Sequence, residues 1–356
     1  MNNIAKIQKQ LEVQGLDAVL ITDEKNQRYA TGFPITDGAV FVSRDRAWLI
    51  TDSRYIEAAT AAVAGSGITV VLYTKEHGLT DCLREAIRES GAEKLAAEDR
   101  KLSYSEYLAY EKDLGRELLG AGDMFITLRA VKSGEELDSM REAQRISEKA
   151  LEAVLHTIKP GMTEKEVQIR LDYEMLQLGS EKNAFATIAC AGVNGSLPHA
   201  IPSDHVIQKG ELLTLDFGAC HHGYLSDMTR TIGFGKIEGE LRTIYQLVLD
   251  AQLMCLDAIA PGKSCREIDA IARNYLDARY PGRFGHGLGH GVGLFIHESP
   301  RFAMTSTATL EPGHVITVEP GLYIPGLGGC RIEDMAIITA DGYVDPIDAP
   351  KQLIEL

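Results

Sequence analysis

The feature that most constrains this chain is that part of it repeats. "KPGMTEKEV" at 159–167 returns as "APGKSCREI" at 260–268, and "KGELLTLDFG" at 209–218 returns as "PGHVITVEPG" at 312–321. The first pair is offset by 101 residues and the second by 103. Two independent matches at nearly one spacing predict a duplicated half: a capped helix, then a strand ending in an acid. Each Pro-Gly leads into Thr or Ser with Glu three residues on (Thr163/Glu166, Ser264/Glu267). That is the capping-box arrangement, which satisfies orphaned N–H groups at a helix start. A chain of 356 residues can hold such a duplication and a further domain, each with its own core.

Ahead of the repeat, short β-rich runs ("DAVLI", "GAVFVS", "AWLIT", "ITVVLY") alternate with helical stretches near 54–64, 79–90 and 103–113. The alternation predicts a small α/β domain. "VKSGEELDSMREAQRISEKALEAVL" then opens a long helix, with Ser133 and Glu136 as its capping box and Leu137, Met140, Ile146, Leu151 and Val154 at helical spacing. The boundary is expected just before it, dividing the chain into 1–130 and 131–356.

The net charge of −15 argues against a nucleic-acid partner or an anionic membrane surface, both of which need basic patches. The N-terminal stretch reads as an amphipathic helix running into a strand, without a signal-peptide core, and no apolar run is long enough to span a bilayer. Six cysteines without a CxxC pair predict thiols in a reducing compartment, so the expected location is the cytoplasm.

In "ELLTLDFGA", Leu213, Leu215 and Phe217 point one way and Thr214 and Asp216 the other. "SDMTRTIGF" reads as the returning strand with Asp227, Thr229 and Thr231 on one face. A turn centred between His221 and His222 would set Asp216 across from Asp227. In the second half, "HVITVEPGLYIPGLGGCRIEDMAII" turns around Gly326, with Glu319 and Glu333 each seven residues from it. Like charges facing each other destabilise a sheet, and two such pairs in mirrored hairpins call for a cation between them. Four carboxylates with a histidine suit one or two hard or borderline divalent ions. Two such ions could hold a bridging hydroxide and polarise a carbonyl or phosphoryl oxygen.

The run "GHGLGHGVGLFIHESP" at 285–300 fits no self-contained motif. Its glycines alternate, so neither a dinucleotide fingerprint nor a P-loop is present, and His297-Glu298 is followed at the fifth position by Arg301, with Pro300 breaking any zinc helix.

With "SLPHAIPSDHVIQKGELLTLDFGACHHGYLSDMTRTI" and "ITVEPGLYIPGLGGCRIEDMAIIT", that run resembles the pita-bread metallopeptidases, most closely Xaa-Pro aminopeptidases (aminopeptidase P) and prolidases. "YATGFPITDGAVFV" and "TDSRY" look like the creatinase-like N-terminal domain of the same group. The resemblance implies an α/β (α+β) chain: a small creatinase-like α/β domain, then a pita-bread catalytic domain with an internal pseudo-two-fold repeat. It implies metal ligands Asp216, Asp227, His290, Glu319 and Glu333, with Asp227 and Glu333 bridging two divalent ions. Mn²⁺ is the first expectation, and Co²⁺, Zn²⁺ and Fe²⁺ are compatible. His199 and His297 are implied as substrate-side donors to the oxyanion, and Glu319 as the proton shuttle to the leaving proline nitrogen. Arg331 is implied to orient the carboxylates and Arg301 the substrate end. The roles of His286, Asp37 and Arg54 stay open, and Ala186 stands where the family often carries Asp.

The implied activity is metallo-exopeptidase hydrolysis of the Xaa-Pro bond, in dipeptides (prolidase) or at the N-terminus of longer peptides (aminopeptidase P), with a metal-bridging hydroxide attacking the scissile carbonyl. The implied partner is a proline-containing peptide, and the implied assembly is a homodimer. Creatine amidinohydrolase shares the architecture without using the metal centre, and the five retained ligand positions argue against it. Methionine aminopeptidases lack the first domain. A non-catalytic binding module on this fold should have lost the ligands.

Overall fold

The computed structural model describes residues 2–356, which fall into two compact units, 1–129 and 130–356. The first unit contains helices α1 (Ile4–Gln14), α2 (Glu24–Thr31), α3 (Ile56–Ala62), α4 (Leu79–Ser90) and α5 (Tyr104–Leu114), with α6 (Met124–Ala130) closing it. Its strands are β1 (Ala18–Ile21), β2 (Gly38–Ser43), β3 (Ala47–Thr51), β4 (Ile68–Leu72), β5 (Leu95–Ala97) and β6 (Leu119–Gly120). They form one mixed sheet in the order β4-β3-β2-β1-β5-β6. The four strands and three helical stretches expected from the sequence are all present. Missed were α2, α6, β5 and β6; "EKNQRYAT" has little apolar periodicity, and its start is set by the Asp23 side chain accepting from the N–H groups of Lys25 and Asn26.

The second unit begins with α7 (Gly134–Leu155) and α8 (Glu164–Gln177), followed by β7 (Ile188–Ala191), β8 (Glu211–Phe217), β9 (Cys220–His221), β10 (Tyr224–Leu225) and β11 (Met228–Phe234). The pattern then recurs as α9 (Gly239–Ala258), α10 (Cys265–Asp277), β12 (Gly289–Gly291), β13 (Glu298–Phe302), β14 (Val315–Val318), β15 (Gly321–Ile324), β16 (Gly328–Arg331), β17 (Asp334–Ile338) and β18 (Tyr343–Val344). Capping boxes start α7 and α8 through Ser133/Glu136 and Thr163/Glu166, and Ser264 accepts from the Glu267 N–H at the start of α10. Just before each second helix the chain makes a matching bridge, Thr163 to Val206 and Ser264 to Thr309. This is the internal pseudo-two-fold repeat.

Each half packs its own core beneath its helix pair. In the first half Leu213, Leu215 and Phe217 of β8 and Met228 and Ile232 of β11 join Leu151, Val167 and Leu171. In the second, Ile316 and Val318 of β14 and Ala336 and Ile338 of β17 join Val248, Ile268 and Leu276. Because strand side chains alternate, the opposite faces of the same strands carry Asp216, Asp227, Thr229, Thr317 and Glu319. Hydrophobic burial on one face thus aims the acids on the other.

One expected register is corrected. β8 and β11 pair Asp216 with Thr229, and His221 pairs with Tyr224, so the turn lies between His222 and Gly223. Both tip residues have positive φ (His222 49°, Gly223 78°), as a two-residue hairpin turn requires. Asp227 therefore lies two residues before Thr229, the partner of Asp216, on the same face. The second hairpin turns at Gly326 as expected: Gly321 pairs with Arg331 and Val318 with Asp334. Glu319 and Glu333 thus stand opposite each other.

The stretch 298–302 is strand, not helix. Among the described residues no helix is long and apolar enough to cross a membrane.

Candidate active site

All the residues singled out in the second unit line one cavity of about 550 Å³: His199, Asp216, Asp227, His290, His297, Arg301, Glu319, Arg331 and Glu333, with His286 beside them. Asp37 and Arg54 belong to the first unit, where the Arg54 guanidinium lies 2.8 Å from Asp37 and also pairs with Asp52. Ala186, where no role was expected, also borders the cavity.

The two hairpins meet at the floor of the cavity. Glu333 N–H donates to the Thr229 carbonyl (3.1 Å), and Thr229 Oγ1 donates to Glu333 Oε2 (2.6 Å). From the other strand pair, His290 N–H donates to Thr317 Oγ1 (3.0 Å), whose hydroxyl donates to Glu319 Oε1 (3.1 Å). His290 Nδ1 is 3.1 Å from the Gly291 carbonyl, which fixes that nitrogen as donor and leaves the Nε2 lone pair facing inward. There it lies 3.3 Å from Glu319 Oε1 and 3.6 Å from Asp227 Oδ2. Ligand atoms of Asp227, His290 and Glu333 all lie within 4.8 Å of one another.

Asp227 and Glu333 are only 4% and 1% exposed, so their charges are far from water. Burial, then the neighbouring carboxylates, drive Asp227 and Glu333 well above the ordinary carboxyl range. Burial likewise pushes Glu319 up to about 8, although Arg331 pulls the other way. Burial also lowers His290 to about 3, so its ring is neutral and able to act as a ligand. Buried oxygens Asp216 Oδ1 and Glu333 Oε1 accept no hydrogen bond. Such a set is costly unless protonated or neutralised by a cation. Four carboxylates, a neutral imidazole and two unmatched inward oxygens fit divalent metal.

A second layer of contacts was only partly foreseen. Arg331 donates to Asp216 Oδ2 (2.5 Å), to Thr229 Oγ1 (3.1 Å) and to the Tyr323 hydroxyl (2.8 Å). Burial works against its charge, but Tyr323 and the surrounding acids outweigh that and hold it protonated. His286 Nε2 lies 2.9 Å from the same Tyr323 hydroxyl, so this histidine belongs to a chain running through Arg331 to Asp216. Sequence reasoning placed Thr229 on the face of Asp227 without giving it a role, and passed over Tyr323 and Thr317. The available signal was parity, since each lies an even number of residues from a predicted ligand on its own strand or hairpin arm. His297 stands edge-on to His290 with ring centroids 4.4 Å apart, and burial, then Arg301, lowers its pKa. His199 and Arg301 are exposed on the cavity wall.

Comparison with known proteins agrees with this geometry. Residues 138–340 match metallopeptidase family M24, and residues 3–131 match the creatinase/prolidase N-terminal domain. An Xaa-Pro dipeptidase of Pyrococcus furiosus is 37% identical over 342 residues, 95% of each chain. The solved structure of an Xaa-Pro dipeptidase from Bacillus anthracis superposes with a TM-score of 0.95 at 39% identity, covering 99% of both chains. That of an X-Pro aminopeptidase from Thermotoga maritima gives 0.91 at 31% identity, covering 98% of this chain and 100% of the other. The chain belongs to metallopeptidase family M24, a metallo-exopeptidase in which a creatinase-like N-terminal domain precedes the pita-bread domain.

Proposed function

We propose that the protein hydrolyses the Xaa-Pro bond of dipeptides with two divalent metal ions held by Asp216, Asp227, His290, Glu319 and Glu333. The observation that carries this reading is the cluster of four carboxylates and a neutral histidine, Asp227 and Glu333 buried and the others partly so, with exposed His199, His297 and Arg301 facing the same cavity. Asp227 and Glu333, the deepest of the acids, would be shared between the ions. The oxygen-rich set with one imidazole favours Mn²⁺. When bound, the ions supply Lewis acidity and activate water for amide hydrolysis at neutral pH.

The protein's own groups do the rest. His199 and His297 donate hydrogen bonds to the carbonyl oxygen as it gains charge, an interaction worth most in the transition state. Glu319 carries the proton to the proline nitrogen. Arg301 receives the substrate's charged end, while Arg331 holds Asp216 in place. A proline amide has no N–H, so the site needs no acceptor for one. The division at 1–130 and 131–356 is supported by the two compact units and by the two family matches.

Dipeptidase relatives favour the dipeptide, and the likeness to an X-Pro aminopeptidase keeps longer peptides as a second reading. Hydrolysis of Leu-Pro and Leu-Pro-Gly under matched Mn²⁺ separates them. Higher kcat/KM on Leu-Pro is the expected result, and preference for the tripeptide would replace it with the aminopeptidase reading.

A further inference from the structure

His199 and His286 stand on loops, where backbone is ordinarily mobile, and His290 on the three-residue strand β12 that follows the second of them. Each of these two loops is gripped from behind by a fully buried acid that the reaction does not use. On α8, Glu164 is 0% exposed. Its Oε1 accepts from Ala191 N–H (2.6 Å), and its Oε2 accepts from Asn194 Nδ2 (2.8 Å), Ser203 N–H (2.8 Å) and Ser203 Oγ (2.7 Å). Four donors thus meet this carboxylate, one at Oε1 and three at Oε2. All four come from the segment 191–203 that carries His199.

On α10, Asp269 is also 0% exposed. Its Oδ1 accepts from Leu288 N–H (2.9 Å), and both its oxygens pair with Arg273 at 3.0 and 3.1 Å. Arg273 in turn donates to the carbonyls of Phe284 (3.0 Å) and His286 (2.8 Å) and lies over the Phe284 ring. Leu288 stands two residues from both His286 and His290.

Burying a carboxylate is expensive unless every lone pair is used. Here Glu164 is held by donors of one histidine-bearing segment, and Asp269 by Leu288 N–H of the other and by Arg273, which itself donates to that segment's carbonyls. The grips are not copies of each other: at the offset of 101 residues Glu164 corresponds to Cys265, not Asp269. The two halves do the same job from different turns of the second helix.

We propose that Glu164 and the Asp269–Arg273 pair are positioning residues, Glu164 fixing the loop of His199 and Asp269–Arg273 fixing the loop of His286 that leads into His290 on β12. The proposal rests on the metallopeptidase reading of the cavity. It separates the two grips by consequence. The α10 grip sets the metal ligand His290, so loosening it weakens metal binding. The α8 grip sets a substrate-side histidine, so loosening it slows turnover and leaves the metal in place.

The test compares the full-length protein with Glu164→Gln, Asp269→Asn, Arg273→Gln and the core control Val248→Ala. Mn²⁺ affinity is measured by chelator competition, and kcat and KM on Leu-Pro. Asp269→Asn and Arg273→Gln are expected to weaken Mn²⁺ binding about 10- to 100-fold. Glu164→Gln is expected to hold Mn²⁺ within about twofold while kcat falls on the order of 10²-fold and KM changes little. Should Glu164→Gln fail to fold, Ser203→Ala, which removes one of the four donors, is expected to show the same pattern more weakly. Equal losses in both quantities, or losses matched by Val248→Ala at similar thermal stability, would overturn the proposal. So would unchanged affinity and turnover. Absence of Leu-Pro hydrolysis in the wild type sinks the substrate reading instead. The α10 grip is then judged on metal affinity, and the α8 grip on the His199 ring resonance, which must shift or broaden in Glu164→Gln.

Discussion

Glu319 shows how burial converts a carboxylate into a proton store. Its pKa is pushed up to about 8, chiefly by burial, and Asp227 and Glu333 move in the same direction. In the unfolded chain these groups titrate near about 4. A raised folded pKa contributes stability that is complete below the unfolded value and lost as pH rises through the folded one. The metal-free protein is therefore expected to lose thermal stability as pH rises from about 5 to about 8. Mn²⁺ displaces those protons and should flatten the slope. Unfolding temperatures recorded with chelator and with Mn²⁺ over that range check this, and parallel profiles would contradict it. His297 supplies a second case. His297→Gln is expected to lower kcat by about 10²- to 10³-fold with Mn²⁺ content unchanged, read by steady-state kinetics and metal analysis. Strand alternation in the sequence pointed to which residues share a face, and so to a cavity ringed by acids. Tyr323 escaped because nothing local shows that its hydroxyl bridges Arg331 and His286, which approach it from other segments.

The alternating glycines of 285–293 are explained at the level of the strand. β12 runs between β13 and β14, and a Cβ on Gly289 would lie 1.9 Å from the Thr317 carbonyl oxygen, while one on Gly291 would lie 2.4 Å from that of Ser299. Close backbone approach, rather than phosphate binding, requires glycine at these two positions. Gly285 meets nothing within 4 Å. Gly289→Ala is expected to cost roughly 1–3 kcal/mol through overpacking and to weaken Mn²⁺ binding by moving His290. Gly285→Ala should leave both near wild type, and denaturant unfolding with metal titration compares them. The starts of α7, α8 and α10 were legible because the Ser/Thr-x-x-Glu cap is local chemistry. The first hairpin's register was not, because Gly223 moves the turn one residue past the symmetric guess.

The two halves of the second unit are joined through β11 and β17 by more than the metal residues. Buried Arg230 donates to Asp334 Oδ1 (2.7 Å), to the Glu333 carbonyl (2.7 Å) and to the carbonyls of Ala349 and Pro350 near the C-terminus. Asp334→Ala would leave that guanidinium buried without its partner, at an expected cost of about 3–5 kcal/mol, visible as a lower denaturation midpoint. The duplication was readable from two short matches, whereas this pair was not, since Arg230 occupies a position facing the hydrophobic core. What the whole assembly is for reduces to one assay. Chelator-stripped protein is titrated with Mn²⁺ while Leu-Pro hydrolysis is followed. The account predicts no activity at the start, a rise with added ion and a plateau at two equivalents, with Asp227→Ala inactive throughout. Cleavage that ignores the metal, or no cleavage at any Mn²⁺ concentration, would contradict it.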